Sequence, residues 1–362
     1  DAALLRHCRK LWASIVERQM YVTGGVGATA DGEAFTYDYD LPNETAYAET
    51  CASVALVFFA HRMLQIDADG SYADVMEKAL YNGVLSGVGR DGKHFFYANH
   101  LAVHPHPGSA ERDMVALSRQ GWFGCACCPP NVARLIASIG GYAYSASAQG
   151  LYVHLYIAGK AETAVNGNKV ILEQQTSYPW TPGVTLWVRP DQPAEFDLML
   201  RIPGWCRGAE LKVNGQKVDL RHALSQGYAR LRRRWTRGDK VQLTLPMPVE
   251  RLEARPRVRM DCGKVALQRG PIVYCLEEVD NGKDLCDIAL PRTGALKVQF
   301  DKRLGGAAVL VGRGRRRASG GWGKALYRPA SSQTRATPIK AVPYCLWNNR
   351  GDGEMLVWIR EA

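Results

Sequence analysis

The spacing of apolar residues changes at Tyr144, and that change limits what this chain can fold into more than any other feature. Upstream, Leu4, Leu5, Cys8, Leu11, Trp12, Ile15 and Val16 recur on one helical face, and the pattern stops before Thr23-Gly24-Gly25. Val54, Ala55, Val57, Phe58, Phe59 and Met63 mark a second helix, and a third covers about Tyr72 to Leu85. A fourth begins at Pro129-Pro130, runs through Val132, Leu135, Ile136 and Ile139, and ends near Gly140-Gly141. Proline suits a first turn, where its missing N–H is not needed, and glycine suits the end. His94 to Tyr97 reads as a short strand. Downstream the period is two: Leu151 to Tyr156, Lys169 to Glu173, Val184 to Val188, Phe196 to Ile202 and Lys240 to Leu245 are short β-rich runs bounded by turn formers. Asn166-Gly167 and Asn214-Gly215 are hairpin signals, because both central positions of a type I′ turn want positive φ.

The fold class expected is therefore a multidomain α + β protein. Residues 1–144 hold too few helices to close a helical barrel, and their loops are too long for a simple bundle. They read as the downstream part of a larger helical domain. Two antiparallel β-sandwiches are expected to follow, at 145–247 and 248–336, with a seam at Leu245-Pro246-Met247-Pro248 and closing strands at 337–362 that return to the first sandwich. Residues 303–335, with Arg313-Gly314-Arg315-Arg316-Arg317 and Ser319-Gly320-Gly321, read as a mobile loop or insertion. No internal repeat is seen.

Composition matters once it is divided at the same point. The 362 residues carry 46 Lys and Arg against 35 Asp and Glu, a net charge of +11 that suggests nucleic acid until it is located. Residues 1–144 hold 11 basic and 15 acidic side chains, six of the eight His and five of the ten Cys; the remainder holds 35 basic and 20 acidic. An acidic, His- and Cys-rich part thus precedes a basic one, and nucleic acid is not an expected partner: the arginine run has no interleaved aromatics. Apolar residues at 46% and charged residues at 22% exclude global disorder. The longest apolar run, Cys51 to Ala60, ends at His61-Arg62, well short of the ~20 residues of a membrane span, so no membrane is expected. The chain starts at Asp1 rather than Met, so the natural start, and any leader, is expected upstream.

The densest chemical signal is Cys125-Ala126-Cys127-Cys128-Pro129-Pro130, three thiols at a helix entrance. A helix N-terminus favours thiolate over thiol. Adjacent cysteines rarely bridge each other, so the readings are a buried or separately disulfide-bonded pair, or metal binding without CxxC spacing. In Glu49-Thr50-Cys51 the outer residues can face one ion only where the backbone is non-helical. Alone, this triplet is ordinary, and Cys51 equally suits a core. Paired with Cys127 and Cys128 it supplies three thiolates and one carboxylate, a zinc-like set. The loop Tyr21 to Asn43 holds Gly32-Glu33-Ala34-Phe35 with Asp31, Asp38, Asp40 and several aromatics, followed by Glu44. That mixture suits sugar recognition, while composition alone favours a solvated acidic loop. Gly24-Gly25-Val26-Gly27 neither matches GxGxxG nor follows a strand, which sets dinucleotide binding aside. His94, His100, His104 and His106 lack HExxH spacing and fit loop or substrate contacts better than ligation.

Five motifs together carry a resemblance. Met20-Tyr21-Val22-Thr23-Gly24-Gly25, Gly32-Glu33-Ala34-Phe35, Tyr37-Asp38-Tyr39-Asp40-Leu41-Pro42-Asn43, Tyr47-Ala48-Glu49-Thr50-Cys51-Ala52-Ser53 and Trp122-Phe123-Gly124-Cys125-Ala126-Cys127-Cys128-Pro129-Pro130-Asn131 resemble glycoside hydrolase family 127, the β-L-arabinofuranosidases. Ile339 to Tyr344 and Trp347 to Gly351 resemble the same family's closing strands. The resemblance implies an (α/α)6 barrel, here its C-terminal part, before two β-sandwiches. It implies zinc held by Glu49, Cys51, Cys127 and Cys128, Cys127 as nucleophile, Glu33 as general acid/base, and Cys125 and Tyr97 against the sugar. The substrate expected is an arabinose-containing oligosaccharide or glycoconjugate, cleaved from its non-reducing end with retention; a homo-oligomer and a cytoplasmic setting are further expectations. Most barrel helices, with the histidines of the sugar pocket, would lie before Asp1, leaving this chain weak or inactive alone, with uncovered apolar helix faces. Asn99-His100, where the family has Asn-Pro, and the arginine-rich stretch are the departures. Two other readings stand beside this one: a sister glycosidase of other sugar specificity, and a carbohydrate-binding or scaffold protein whose zinc is only structural.

Overall fold

The structure, a computed structural model, describes residues 1–105, 116–317, 322–330 and 332–362; His106 and Ser319-Gly320-Gly321 lie outside the described residues. It is a mixed, multidomain α + β chain with two compact units. One comprises Asp1–Ser53, Tyr81–Pro129 and Val249–Ala362; the other comprises Val54–Leu80 and Pro130–Pro248. The longer α-helices are α1 (Ala2–Arg18), α2 (Thr50–Ile66), α3 (Gly70–Lys78) and α4 (Cys128–Ser138). No described helix is long and apolar enough to cross a membrane. Asp1 caps α1 by accepting from the Ala3 amide at 2.7 Å, but only Trp12 of that helix is buried. Leu4 and Leu11 stay 64% and 59% exposed, an uncovered apolar face of the kind expected. The third predicted helix is α to Lys78, then widens to a π turn at Ala79–Val84 and tightens at Leu85–Gly87.

In the first unit the strand predicted at His94 to Tyr97 is reduced to isolated bridges of Phe95 with Val88 and Gln120. The reason is competition for backbone partners. Phe95 and Gln120 exchange both hydrogen bonds, after which Tyr97 O accepts from Thr50 N (2.9 Å) and Asn99 N donates to Tyr47 O (3.0 Å). This segment is thereby tied to the one that precedes α2.

The second sandwich expected at 248–336 is instead a ten-stranded sheet with a closed core. Lys264–Arg269, Ile272–Glu277, Thr334–Pro343, Ala307–Arg317, Ala289–Leu290 and Ile359–Glu361 pair in that order, and the last pairs back to the first. Closure removes the exposed edges that an open sheet would present. Ala289–Leu290 pairs with Ile359–Glu361 in parallel, so the sheet is not wholly antiparallel. The closing strands of 337–362 therefore join this ring and do not return to the first sandwich. The predicted loop at 303–335 is corrected as well: Ala307–Arg317 and Thr334–Pro343 are its longest hairpin, in register from Leu310↔Ala341 to Arg317↔Thr334. Within it the buried Arg316 donates to the carbonyls of Asn281, Lys283 and Asp284, a structural use of the arginine run.

The second unit carries a five-stranded sheet (224–225, 228–235, 194–201, 150–153, 144–146) and a six-stranded sheet (159–165, 168–176, 183–190, 239–244, 210–213, 216–218). Along Gly183–Pro190 the alternating Val184, Leu186 and Val188 are buried. Both hairpin signals close as expected, with φ of 50° and 76° at Asn166-Gly167 and 49° and 83° at Asn214-Gly215. Helix α3 is seated by close backbone approach and by charge. A Cβ on Gly70 would lie 3.1 Å from Gly227 Cα, so a larger residue would push the two segments apart. The fully buried Arg201 pairs with Glu77 and with Asp74 Oδ1 (2.5 Å), while Tyr178 and Trp205 also donate to Glu77. An ion pair removed from water is held by this completeness of bonding, and losing one partner strands a buried charge. Glu77→Ala should therefore destabilise the chain by about 3–5 kcal/mol, read as a lowered urea midpoint at unchanged m-value.

Candidate metal centre and catalytic site

Glu49 and Cys51 face the same way because the backbone before α2 is held out of a helical course. Ala48, buried, adopts φ 38°, a left-handed conformation that costs an L residue roughly 1–2 kcal/mol. Surrounding hydrogen bonds offset that strain. Asn99 Nδ2 donates to Ala48 O (3.0 Å) and Thr50 Oγ1 (2.9 Å), Ser86 Oγ donates to Asn99 Oδ1 (2.7 Å), and Thr50 Oγ1 donates to Phe96 O (2.9 Å). Asn99, Thr50 and Ser86 meet through buried polar side chains that are bonded to one another, the arrangement in which polar burial rigidifies. Gly87 makes room: a Cβ there would sit 2.5 Å from the Thr50 side chain. The other two donors arrive at the start of α4, whose first residue is Cys128.

The four side chains converge. Cys51 Sγ lies 3.5 Å from Cys128 Sγ, Cys127 Sγ lies 3.3 Å from Glu49 Oε1 and 3.8 Å from Cys128 Sγ, and Cys128 Sγ lies 3.7 Å from Glu49 Oε1. All four donor atoms fall within 4.8 Å of one another. A tetrahedral zinc site with Zn–S near 2.3 Å has S···S edges of about 3.8 Å and slightly shorter S···O edges, so the spacing and the donor set both fit that ion. None of the ten cysteines forms a disulfide, which removes that reading of the adjacent pair. Burial pushes the Cys127 thiol up to about 12, and the bond to Cys51 together with burial pushes Cys128 upward too. The protein alone therefore holds these sulfurs as thiols, and a bound cation is what would favour thiolates.

Two tyrosines extend the cluster. Cys127 Sγ lies 3.1 Å from the Tyr97 hydroxyl, and the Tyr47 hydroxyl donates to Glu33 Oε1 at 2.7 Å. Their rings are 6.1 Å apart, and Phe123 packs edge-on against Tyr97 at 5.5 Å. Tyr47, Tyr97, Ala98, Phe123 and Cys128 form one buried core, with Cys51, Phe95 and Cys127 against it. Glu33 sits on the exposed loop at φ 50°, directly after Gly32 at φ 66°. Cys125 is exposed, two residues before Cys127. Other candidates are engaged elsewhere: Asp38 pairs with Arg18, Asp40 accepts from Thr36, His94 pairs with Asp91 at 2.5 Å, and His104 lies 3.6 Å from Glu354. Tyr47, Asn99, Thr50 and Ser86 were not singled out by chemistry in the sequence. Tyrosine, serine, threonine and asparagine have no ligand spacing to betray them, although Tyr47 and Thr50 lie inside the Tyr47–Ser53 motif.

Three family models match in succession: the GH127 catalytic domain of β-L-arabinofuranosidase over residues 1–141, the GH127 middle domain over 150–247, and the glycoside hydrolase family 127 C-terminal domain over 249–360. The non-reducing end β-L-arabinofuranosidase of Bifidobacterium longum subsp. longum is 42% identical over 377 residues, covering 99% of this chain and 56% of that protein. A crystal structure of a GH127 β-L-arabinofuranosidase from Geobacillus stearothermophilus T6 superposes with a TM-score of 0.96 at 53% identity, covering all of this chain and 57% of that one. A second GH127 β-arabinofuranosidase structure superposes at 0.91 with 36% identity, again over 57% of its length. The chain thus spans a little over half the length of the relatives it matches, and with all three domain models in order it belongs to glycoside hydrolase family 127.

Proposed function

We propose that the whole protein is a retaining exo-glycosidase that releases terminal β-L-arabinofuranosyl residues from oligosaccharides or glycoconjugates, with Cys127 as nucleophile and Glu33 as general acid/base. What carries the reading is the meeting of a thiol, three further ligand donors and a phenol-tethered carboxylate around one buried core. The four helices would then be the closing part of an (α/α)6 barrel, in keeping with the uncovered Leu4 and Leu11. The relatives' activity supports the sugar and the linkage. Unbridged cysteines suit a reducing, cytoplasmic setting.

The two neighbouring thiols differ in access. Cys128 is fully buried, whereas Cys127 keeps partial exposure, so an anomeric carbon can approach Cys127 alone. Zinc held by Glu49, Cys51, Cys127 and Cys128 would supply the stabilisation that keeps the attacking sulfur ionised at neutral pH. In the first step Cys127 bonds to the anomeric carbon as the glycosidic C–O bond breaks, and Glu33 gives its proton to the departing oxygen. In the second step Glu33, now a carboxylate, takes a proton from water. That water attacks the same carbon, the C–S bond breaks, and the electron pair returns to sulfur. Two inversions leave the configuration unchanged. Tyr97, beside the sulfur, is placed to contact both sulfur and sugar, and the exposed Cys125 lines the approach.

Cys127→Ser in the whole protein should lower turnover of an aryl β-L-arabinofuranoside by at least about 10^4-fold; undiminished turnover would overturn the nucleophile assignment. Glu33→Gln should lower kcat on a poor leaving group by about 10^2- to 10^4-fold, with azide partly restoring turnover of a dinitrophenyl substrate by replacing water. Elemental analysis should find about one zinc per chain, and much less after Cys51→Ser or Cys128→Ser. Full zinc occupancy in both variants would exclude the four-ligand site.

A further inference from the structure

We propose that Tyr47 is the positioning residue for the acid/base: its buried hydroxyl registers the Glu33 carboxylate to the sulfur of Cys127. The inference rests on the catalytic reading above and adds a residue to it. Glu33 belongs to a run, Asp31 to Asp38, in which every residue but Ala34 is exposed. A carboxylate on such a loop has several rotamers open to it, and a general acid must be held to a small part of that range. The Tyr47 hydroxyl at 2.7 Å is the hydrogen bond its side chain makes among the described residues.

The other end of that bond is rigid. Tyr47 is 1% exposed and lies in the same packed core as Tyr97, Phe123 and Cys128, with Cys127 and Cys51 against it. Its backbone is fixed as well, since Tyr47 O accepts from Asn99 N at 3.0 Å. One phenol therefore joins an exposed, positively-φ loop to the core that seats the nucleophile. Its role changes through the reaction. A phenol donates to the carboxylate, the form in which Glu33 activates water, and the same contact keeps the protonated acid aimed at the leaving oxygen.

The test compares full-length, zinc-loaded wild type with Tyr47→Phe, which keeps the ring and loses only the hydroxyl. On an alkyl or nitrophenyl β-L-arabinofuranoside with a poor leaving group, kcat/KM should fall about 30-fold, and on a dinitrophenyl substrate, which needs no proton, less than about threefold. Zinc content should be unchanged. In 13C NMR of the carboxylate, assigned through Glu33→Gln, the Glu33 signal should shift and broaden in Tyr47→Phe, because the hydrogen bond that holds one rotamer is gone. Equal losses on both substrates together with zinc loss would show a merely structural role and overturn the proposal. An unchanged leaving-group dependence with an unchanged Glu33 signal would overturn it equally. Should wild type hydrolyse neither substrate, the catalytic reading falls, while the Glu33 carboxylate signal in wild type against Tyr47→Phe still decides whether Tyr47 holds that carboxylate.

Discussion

The carboxamide of Asn99 holds Ala48 in a left-handed turn, and the site of this glycosidase-family chain depends on that interaction. A Glu-x-Cys triplet in a continuous helix sends its two ends to opposite faces. With Ala48 at φ 38° and Asn99 bonded to both its carbonyl and the next threonine, Glu49 and Cys51 turn toward one point at the entrance to α2. Asn99 is available because residues 97–99 pair with 47–50 instead of continuing as a strand. The short strand lost from the sequence reading and the ligand pair gained are one event.

Without a cation the thiolate forms of Cys127 and Cys128 are disfavoured, since burial and the neighbouring Cys51 raise both thiols. The rise of Cys127 toward 12 expresses that conflict. The same packing separates two chemically identical neighbours. Cys128 is wholly enclosed, while Cys127 keeps partial exposure.

Several arginines of the basic half are engaged inside the protein. Arg201 is enclosed with Glu77 and Asp74, Arg350 pairs with Glu277 and Asp280, Arg251 bridges to Glu361, and Arg316 donates to three carbonyls. Guanidinium groups with several donors can satisfy buried acceptors from different strands at once, which suits a protein rich in sheet junctions. These four arginines serve the architecture of the sheets.

Local physics made much of this legible in the sequence. Apolar periods of three to four and of two located the helices and five strands of residues 145–247. The Asn-Gly pairs located hairpins, because few residues accept two successive positive φ values. The cysteine cluster with its Glu-x-Cys partner marked Glu49, Cys51, Cys127 and Cys128 as a ligand set, whereas Glu33 stood out only through the family resemblance. Tertiary structure alone decided how residues 249–361 close into a ring, since strand order depends on pairings far apart in the chain that no local pattern encodes. It alone gave Cys127 and Cys128 different access, because access is a property of packing. And it alone revealed Tyr47 and Asn99, whose hydrogen bonds exist only once loops distant in sequence have been brought together.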